Sequence, residues 1–339
     1  MKRTLVSLAV LAASGAAMAQ SSVTLYGRLD ASVGQTSTET TGAVTVVKLT
    51  QTVINSSSAN TTYWGMKGSE DLGDGLKANF KLESGFAIDT GVGNTGIFER
   101  EAHVGLAGGF GEVTLGRQYT SLHSAHGNVD MLWDNNFSVA GPVFGVGIAA
   151  QPIRTSNGIR YDSPNFGGVT GSVTVGLGED KTATTSAAGH VSFNLTYAAG
   201  PVMVTYAHEE DKLAQASAAV AQVTNKYDLI GGTYNFGVAK LNAEYVKTKD
   251  GTRDDKDYQL GVIVPMGKFS LGVGYAKGTS TAVGVADLNA KGFALTGYYD
   301  LSKRTSLYAG YKATEVENTP AAISTVKATS MQAGVRHLF

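Results

Sequence analysis

Cysteine is absent from the 339 residues, so neither a disulfide framework nor a thiolate metal site braces this chain. Proline occurs only six times, few enough for long strands to run without a missing backbone donor. No run of eighteen apolar residues follows the first twenty positions, which excludes a membrane-spanning helix. Charge is sparse and nearly balanced, 27 basic residues against 28 acidic ones; such a chain lacks the basic excess of a nucleic-acid binder. Glycine is abundant instead, 43 residues scattered through segments of alternating polarity.

The first nineteen residues read as an export signal. Lys2 and Arg3 precede the apolar run Leu5 to Ala13, and Ala17-Met18-Ala19 supplies a small-residue cleavage site. The mature chain is expected to start at Gln20 with a net charge of −3, once Lys2 and Arg3 are removed from the count. An exported chain of this length without cysteine must be held by backbone pairing and packing.

Alternation is the dominant pattern. Val23, Leu25, Leu29 and Val33 are interleaved with Thr24, Tyr26, Arg28, Asp30 and Ser32, and Phe269, Leu271, Val273 and Tyr275 with Ser270, Gly272 and Gly274. A period of two marks a strand with one apolar and one polar face. Sixteen such segments are predicted, at 23–36, 61–71, 75–89, 97–108, 111–118, 158–163, 169–178, 188–199, 202–210, 225–235, 239–248, 256–265, 268–277, 290–300, 304–314 and 326–339. Tight turns such as Gly109–Phe110, Gly200–Pro201 and Met266–Gly267 alternate with longer polar connections such as Ser37–Asn60, Glu179–Ala187, Lys249–Asp255 and Gly278–Asn289. Short links at one rim and long ones at the other are the plan of an outer-membrane barrel. Phe110, Phe166, Tyr197, Phe236, Phe269 and Phe339 fall near the short-turn rim, where an aromatic girdle belongs. The predicted fold is therefore all-β: a transmembrane antiparallel β-barrel of sixteen strands, apolar outside and polar within, closed because hydrocarbon tolerates no unpaired sheet edge.

One stretch keeps neither period. Residues 119–157 form the third long connection, and a structureless loop of that length is normally functional. Folded into the lumen, it would narrow a water-filled pore.

The motifs carry a resemblance. Val23-Thr24-Leu25-Tyr26-Gly27, Trp64-Gly65-Met66-Lys67-Gly68-Ser69-Glu70-Asp71-Leu72-Gly73, Leu82-Glu83-Ser84-Gly85-Phe86, Val113-Thr114-Leu115-Gly116-Arg117-Gln118-Tyr119, Tyr161-Asp162-Ser163-Pro164-Asn165-Phe166-Gly167-Gly168 and Gly334-Val335-Arg336-His337-Leu338-Phe339 resemble, in order and across residues 20–339, the general diffusion porins of the Gram-negative outer membrane. The resemblance implies a homotrimer in contact with outer-membrane lipid and lipopolysaccharide, a third loop folded inward, and a terminal Phe339 read by the barrel-assembly machinery. It implies passive diffusion of small hydrophilic solutes and ions, without cofactor or catalysis. The chain departs from related branches at the loop tip, where Pro142-Val143-Phe144-Gly145-Val146 stands in place of a Pro-Glu-Phe-Gly-Gly string. The only loop acids are Asp130 and Asp134.

Strand parity directs Arg28, Lys67, Lys77, Lys81 and Arg160 inward, and the resemblance adds Arg100. A basic wall facing Asp130 and Asp134 would set a transverse field and a weak anion preference. Parity places Glu101 and His103 on the outward face, where protein contact rather than lipid is expected. His123, His126 and Asp130 could share a helical turn, but with no further ligand nearby they do not make a metal site. Gly91-Val92-Gly93-Asn94-Thr95-Gly96 fits G-x-G-x-x-G without the helix that would cradle a phosphate. The charged run Asp250 to Asp257 reads as a solvated outward tip, with divalent bridging to lipopolysaccharide as its functional alternative. A substrate-selective channel for anions, sugars or small carboxylates is the alternative on the same scaffold, and an outer-membrane enzyme or adhesin the alternative from another class.

Overall fold

A computed structural model describes residues 22–42, 44–130, 132, 137–144, 151–215, 217–319 and 324–339. The signal segment 1–19, the start at Gln20 and Asp134 lie outside the described residues. The strands in chain order are β1 (Ser22–Thr41), β2 (Val46–Ser56), β3 (Tyr63–Gly73), β4 (Leu76–Gly85), β5 (Glu101–Gly108), β6 (Gly111–Tyr119), β7 (Arg154–Asp162), β8 (Val169–Gly176) and β9 (Gly189–Ala199). They continue as β10 (Val202–Lys212), β11 (Thr224–Asn235), β12 (Lys240–Lys249), β13 (Arg253–Met266), β14 (Phe269–Ala282), β15 (Val285–Asp300), β16 (Thr305–Thr319) and β17 (Ser324–Leu338). Among the described residues two helices, α1 (Ser121–Val129) and α2 (Ala140–Val143), lie between β6 and β7.

From β3 onward each strand pairs antiparallel with the next, and β17 returns to β1 with Asp30 opposite Arg336 and Thr41 opposite Thr325. β2 and β3 share one edge of β1: Thr41 faces Val46 and Ala31 faces Ser56, then Arg28 faces Tyr63 and Ser22 faces Ser69. They are two halves of one stave, so the barrel has sixteen. Side chains sort by parity, as lipid outside and water inside require. On β14, Leu271, Val273 and Tyr275 are exposed outward, whereas Gly272, Gly274 and Ala276 are buried inward.

The predicted loop Ser37–Asn60 is a correction. β1 runs to Thr41 and β2 occupies Val46–Ser56, so a ladder stands where coil was expected. Thr, Ser, Gln and Lys side chains carry no apolar rhythm, but backbone bonds do not need one. The same holds for Lys249–Asp255 and Gly278–Asn289, most of which extends the β12–β13 and β14–β15 hairpins.

The break between β2 and β3 is organised by Asp30, which is fully buried. Its carboxylate accepts the backbone N–H groups of Ser58 (2.9 Å), Ala59 (3.2 Å) and Asn60 (2.9 Å), and the hydroxyl of Tyr308 on β16 (2.6 Å). One side chain therefore ties the stave interruption to the closing seam. Nearby, Phe339 exchanges backbone hydrogen bonds with Gly27 (3.1 and 3.2 Å), and a Cβ at Gly27 would lie 2.5 Å from the Phe339 ring. Replacing Asp30 by alanine strands these donors, at about 1.5–3 kcal/mol for each hydrogen bond to a charged group. A clear fall in the thermal unfolding midpoint in detergent, read by circular dichroism, is expected; an unchanged midpoint would refute the anchoring role.

The apolar core lies inside the barrel. Leu122, Ala125, Leu132, Val139 and Val143 from the β6–β7 connection pack with Ala207, Leu229, Val246, Ala276, Ala290 and Ala294 of the inner wall. Glycine makes the room: a Cβ at Gly274 would come within 2.8 Å of Leu132, one at Gly278 within 2.7 Å of the Val143 carbonyl, and one at Gly310 within 2.6 Å of Phe137.

Candidate functional site

The β6–β7 connection begins with a cap. Thr120 Oγ1 accepts the N–H of His123 (3.1 Å) and starts α1, whose residues then cross the inner wall in strand order. Ser121 bonds Thr174 and Ser172 of β8 (both 2.9 Å), Leu122 N donates to Ser192 of β9 (2.8 Å), and Asn194 of β9 donates to the Ser121 carbonyl (2.7 Å). His126 Nδ1 meets Glu244 of β12 at 2.5 Å, and Gln259 of β13 donates to the other Glu244 oxygen (2.8 Å). Farther along, Leu132, Val139 and Val143 reach β14 and β15, and Phe137 reaches Gly310 and Tyr308 of β16. The connection thus covers the wall from β8 to β16.

The wall from β1 to β7 carries a group of cations arranged as a ladder with phenol rings, while Arg253, Lys312 and Arg336 face inward on β13, β16 and β17. Arg28 donates to the Thr61 carbonyl (2.9 Å) and lies 5.2 Å from the Tyr63 ring centre. Arg100 is 4.7 Å from the same ring, donates to Tyr119 Oη (3.0 Å) and reaches Glu83 at 3.3 Å. Arg154 lies 4.3 Å over the Tyr119 ring and donates to its hydroxyl (2.6 Å). Guanidinium stacked on an aromatic face keeps its charge while its carbon plane is covered.

Lys67 and Lys81 stand opposite one another on β3 and β4. Lys67 is exposed, 5.1 Å from the Tyr26 ring, whereas Lys81 is held by Glu83 (3.0 Å) and Glu101 (2.8 Å). Arg160 is bidentate to Asp162 (2.6 and 2.8 Å) and reaches the Tyr119 carbonyl and Ser124 Oγ (3.1 and 3.0 Å), so it fastens the start of α1. Lys77 sits apart, opposite Asp71 beside the β3–β4 turn. A hollow of ≈ 420 Å³ between wall and loop is lined by Lys81, Glu101, His103, Tyr119, Ser124 and Arg160.

Parity misplaced Glu101 and His103. Both face inward: Glu101 accepts from Lys81, and His103 Nε2 is 3.1 Å from Glu101. The reason is that β5 starts at Glu101 and not at residue 97. Arg100, in the preceding turn, is freed from the alternation and reaches the interior as well. Asp130 is not presented to the wall. It is buried, accepting from Leu132 N (3.0 Å) and Ser138 Oγ (2.5 Å), and closes the turn after α1.

Sequence reasoning missed Arg154, assigned to coil although β7 begins there, and the rings of Tyr26, Tyr63 and Tyr119. Their signal was present in the spacing of Arg and Tyr at inward positions, but cross-strand stacking depends on register. His123 stacks on Tyr119, 5.1 Å between centres and 8° between planes. Burial, then the charges of His126, Arg154 and Arg100, hold its imidazole well below the ordinary 6.5. Burial pushes His126 the same way, but the Glu244 carboxylate outweighs it and raises His126 above 6.5.

A Gram-negative porin family model matches residues 5–319. Outer membrane porin protein 32 of Delftia acidovorans is 34% identical over 373 aligned residues, with both chains covered in full, and an outer-membrane porin of Bordetella pertussis is 31% identical, again over both chains in full. Among solved structures, an anion-selective porin from Comamonas acidovorans is 28% identical and superimposes with a TM-score of 0.79, over 94% of this chain and all of that one. A closed barrel of sixteen antiparallel strands, an inner wall of charged and polar side chains, and full-length relatives of one kind agree: this chain belongs to the Gram-negative porin family and forms a channel through the outer membrane.

Proposed function

We propose that this porin is a passive, weakly anion-preferring channel in which the connection 119–157 sets the narrowest section. The observation that carries this is the division of the inner wall. The connection occupies β8 to β16, leaving an aqueous path bounded on its other side by Arg28, Lys67, Lys81, Arg100, Arg154 and Arg160. Among the described residues Glu83, Glu101 and Asp162 pair with members of that set, and Glu112 lines the same hollow. An excess of fixed positive charge at a water-filled narrowing raises the local anion concentration. The relative described as anion-selective supports the same sign. Diffusion through such a path needs no catalytic group, and none is assigned.

The unit is a homotrimer. The outward face of β1 to β6 offers Val23, Leu25, Val104, Leu106 and Leu115 with Gly68 and Ala102 between them, a smooth apolar surface suited to a second copy. Phe339, paired with Gly27 at the closing seam, is the assembly signal. Planar-bilayer recording in a salt gradient tests the function: stepwise conductance with a reversal potential of the anion-selective sign is expected. Absence of steps, or clear cation selectivity, would overturn it.

A further inference from the structure

Toward the long loops, the wall formed by β16, β17, β1 and β2 reverses the polarity of the rest of the barrel. The outward positions of β1 there are Gln35, Ser37 and Glu39, whereas the inward positions of β2 include Val47, Leu49 and Val53. The interior of a porin is lined by polar side chains, and a contiguous apolar patch left in water marks a binding surface.

Strand register assembles the patch. Val316 on β16 lies opposite Val326 on β17, Val326 opposite Thr40 on β1, and Thr40 opposite Val47 on β2. One step nearer the membrane the same strands align Thr314, Ala328, Thr38 and Leu49. The first row also continues in the other direction, to Ala290 on β15, and there it is covered: Val139 and Val143 of the β6–β7 connection share a cluster with Ala290, and Val316 lies at its margin. Beyond Val316 the row is bare. Val47 is 64% exposed, Leu49 56% and Val326 38%. Lipid and a second subunit meet the outside of the barrel and cannot reach this face, whereas solute in the channel can.

One cation stands below the patch. Lys312 points inward on β16, opposite Ala294 of β15 and Ser330 of β17, and Ser330 in turn lies opposite Thr36 of β1. Lys312 is half-buried, and among the described residues no carboxylate pairs with it. The two apolar rows lie two and four strand residues away, about 7 and 13 Å. An ammonium flanked by hydroxyl groups, with an apolar strip leading away from it, matches an anionic head on an apolar body.

We propose that Lys312 and the strip Val47, Leu49, Val326 and Ala328 form a vestibule site for monocarboxylates with an apolar body, such as medium-chain alkanoates. The site rests on the porin reading, which fills this side of the wall with water. Its two parts select separately. Lysine takes the carboxylate, and the strip takes a chain of several methylenes, so chloride or acetate engages Lys312 alone.

Single-channel chloride current through the full-length protein in planar bilayers, with octanoate or acetate added, tests the site. A methylene covered on one side contributes about twofold in affinity, so octanoate is expected to interrupt the current at concentrations on the order of fiftyfold below those of acetate. In V47T/L49T/V326T, which keeps side chains that suit a strand, the two acids should become nearly equal. Lys312→Gln should weaken octanoate about fivefold, the worth of one charge at contact in water-like surroundings, and uncharged 1-octanol should fail to interrupt the parent's current. Equal potency of the two acids in the parent would overturn the proposal, whether or not a variant folds. So would an octanoate effect undiminished in either variant or reproduced by 1-octanol. Stepwise chloride conductance without added acid reports on folding and on the pore separately, so a failure of the site leaves the porin reading standing.

Discussion

Replacing Arg28, Arg100 and Arg154 together by glutamine is expected to abolish the anion preference and bring the reversal potential close to zero. Each guanidinium is fixed against a ring, Arg28 and Arg100 on Tyr63 and Arg154 on Tyr119, so its charge is held at the wall. A charge about 5 Å from a passing ion is worth roughly 0.8 kcal/mol in water-like surroundings, close to fourfold in local concentration. Removing three leaves Lys67, Lys81 and Arg160 against Glu83, Glu101 and Asp162, near balance. The change should be greatest at low salt and fade near 1 M, where the screening length falls to about 3 Å. Lys77→Gln, beside the β3–β4 turn, is the matched control and should shift the potential little. A triple variant with the parental potential at low salt would refute the ladder as the selectivity element.

Glu244→Ala is expected to unmoor α1. The partner left behind, His126, is fully enclosed, and breaking a buried ion pair from one side costs about 3–5 kcal/mol. That raises the population of loop-detached states by about a hundredfold or more. Larger and noisier conductance steps should follow, with faster protease cleavage between residues 119 and 157. Steps as quiet as those of the parent would refute the tether. The same pair sets a pH dependence. His126 is raised above 6.5 in the docked state, so its contribution to docking is complete below 6.5 and is lost as pH rises through the docked value. His123 is held below 6.5, so its penalty is absent above 6.5 and grows as pH falls beneath it. The two histidines together favour docking most near pH 6.5, and their contribution to the noise should increase on both sides of it. In Glu244→Ala the alkaline limb should vanish while the acid limb remains.

The two halves of the structure were unequally legible in the sequence. Wherever lipid touches the barrel, the chain must alternate, and the apolar members Leu271, Val273 and Tyr275 mark β14 without help from its neighbours. Alternation stops where lipid stops, so the ends of β1 and of β13 to β15 carry no apolar rhythm although their backbones stay paired, and the doublets Val46-Val47 and Val53-Ile54 break that rhythm in β2. Parity also fails wherever a strand begins at an unmarked residue, as at Glu101.

By itself, then, the sequence determined the closed all-β barrel, its two-sided polarity and the identity of most wall cations, because each follows from local patterning against lipid and water. Tertiary structure alone decided how each cation is held: Arg160 by Asp162, Lys81 by Glu83 and Glu101, Arg28 and Arg100 against one shared ring. It also decided that Asp130 closes a turn and that bare glycines on β14, β15 and β16 seat the connection. These depend on register between strands far apart in the chain, and a one-residue change of register exchanges the faces of a strand without altering its pattern.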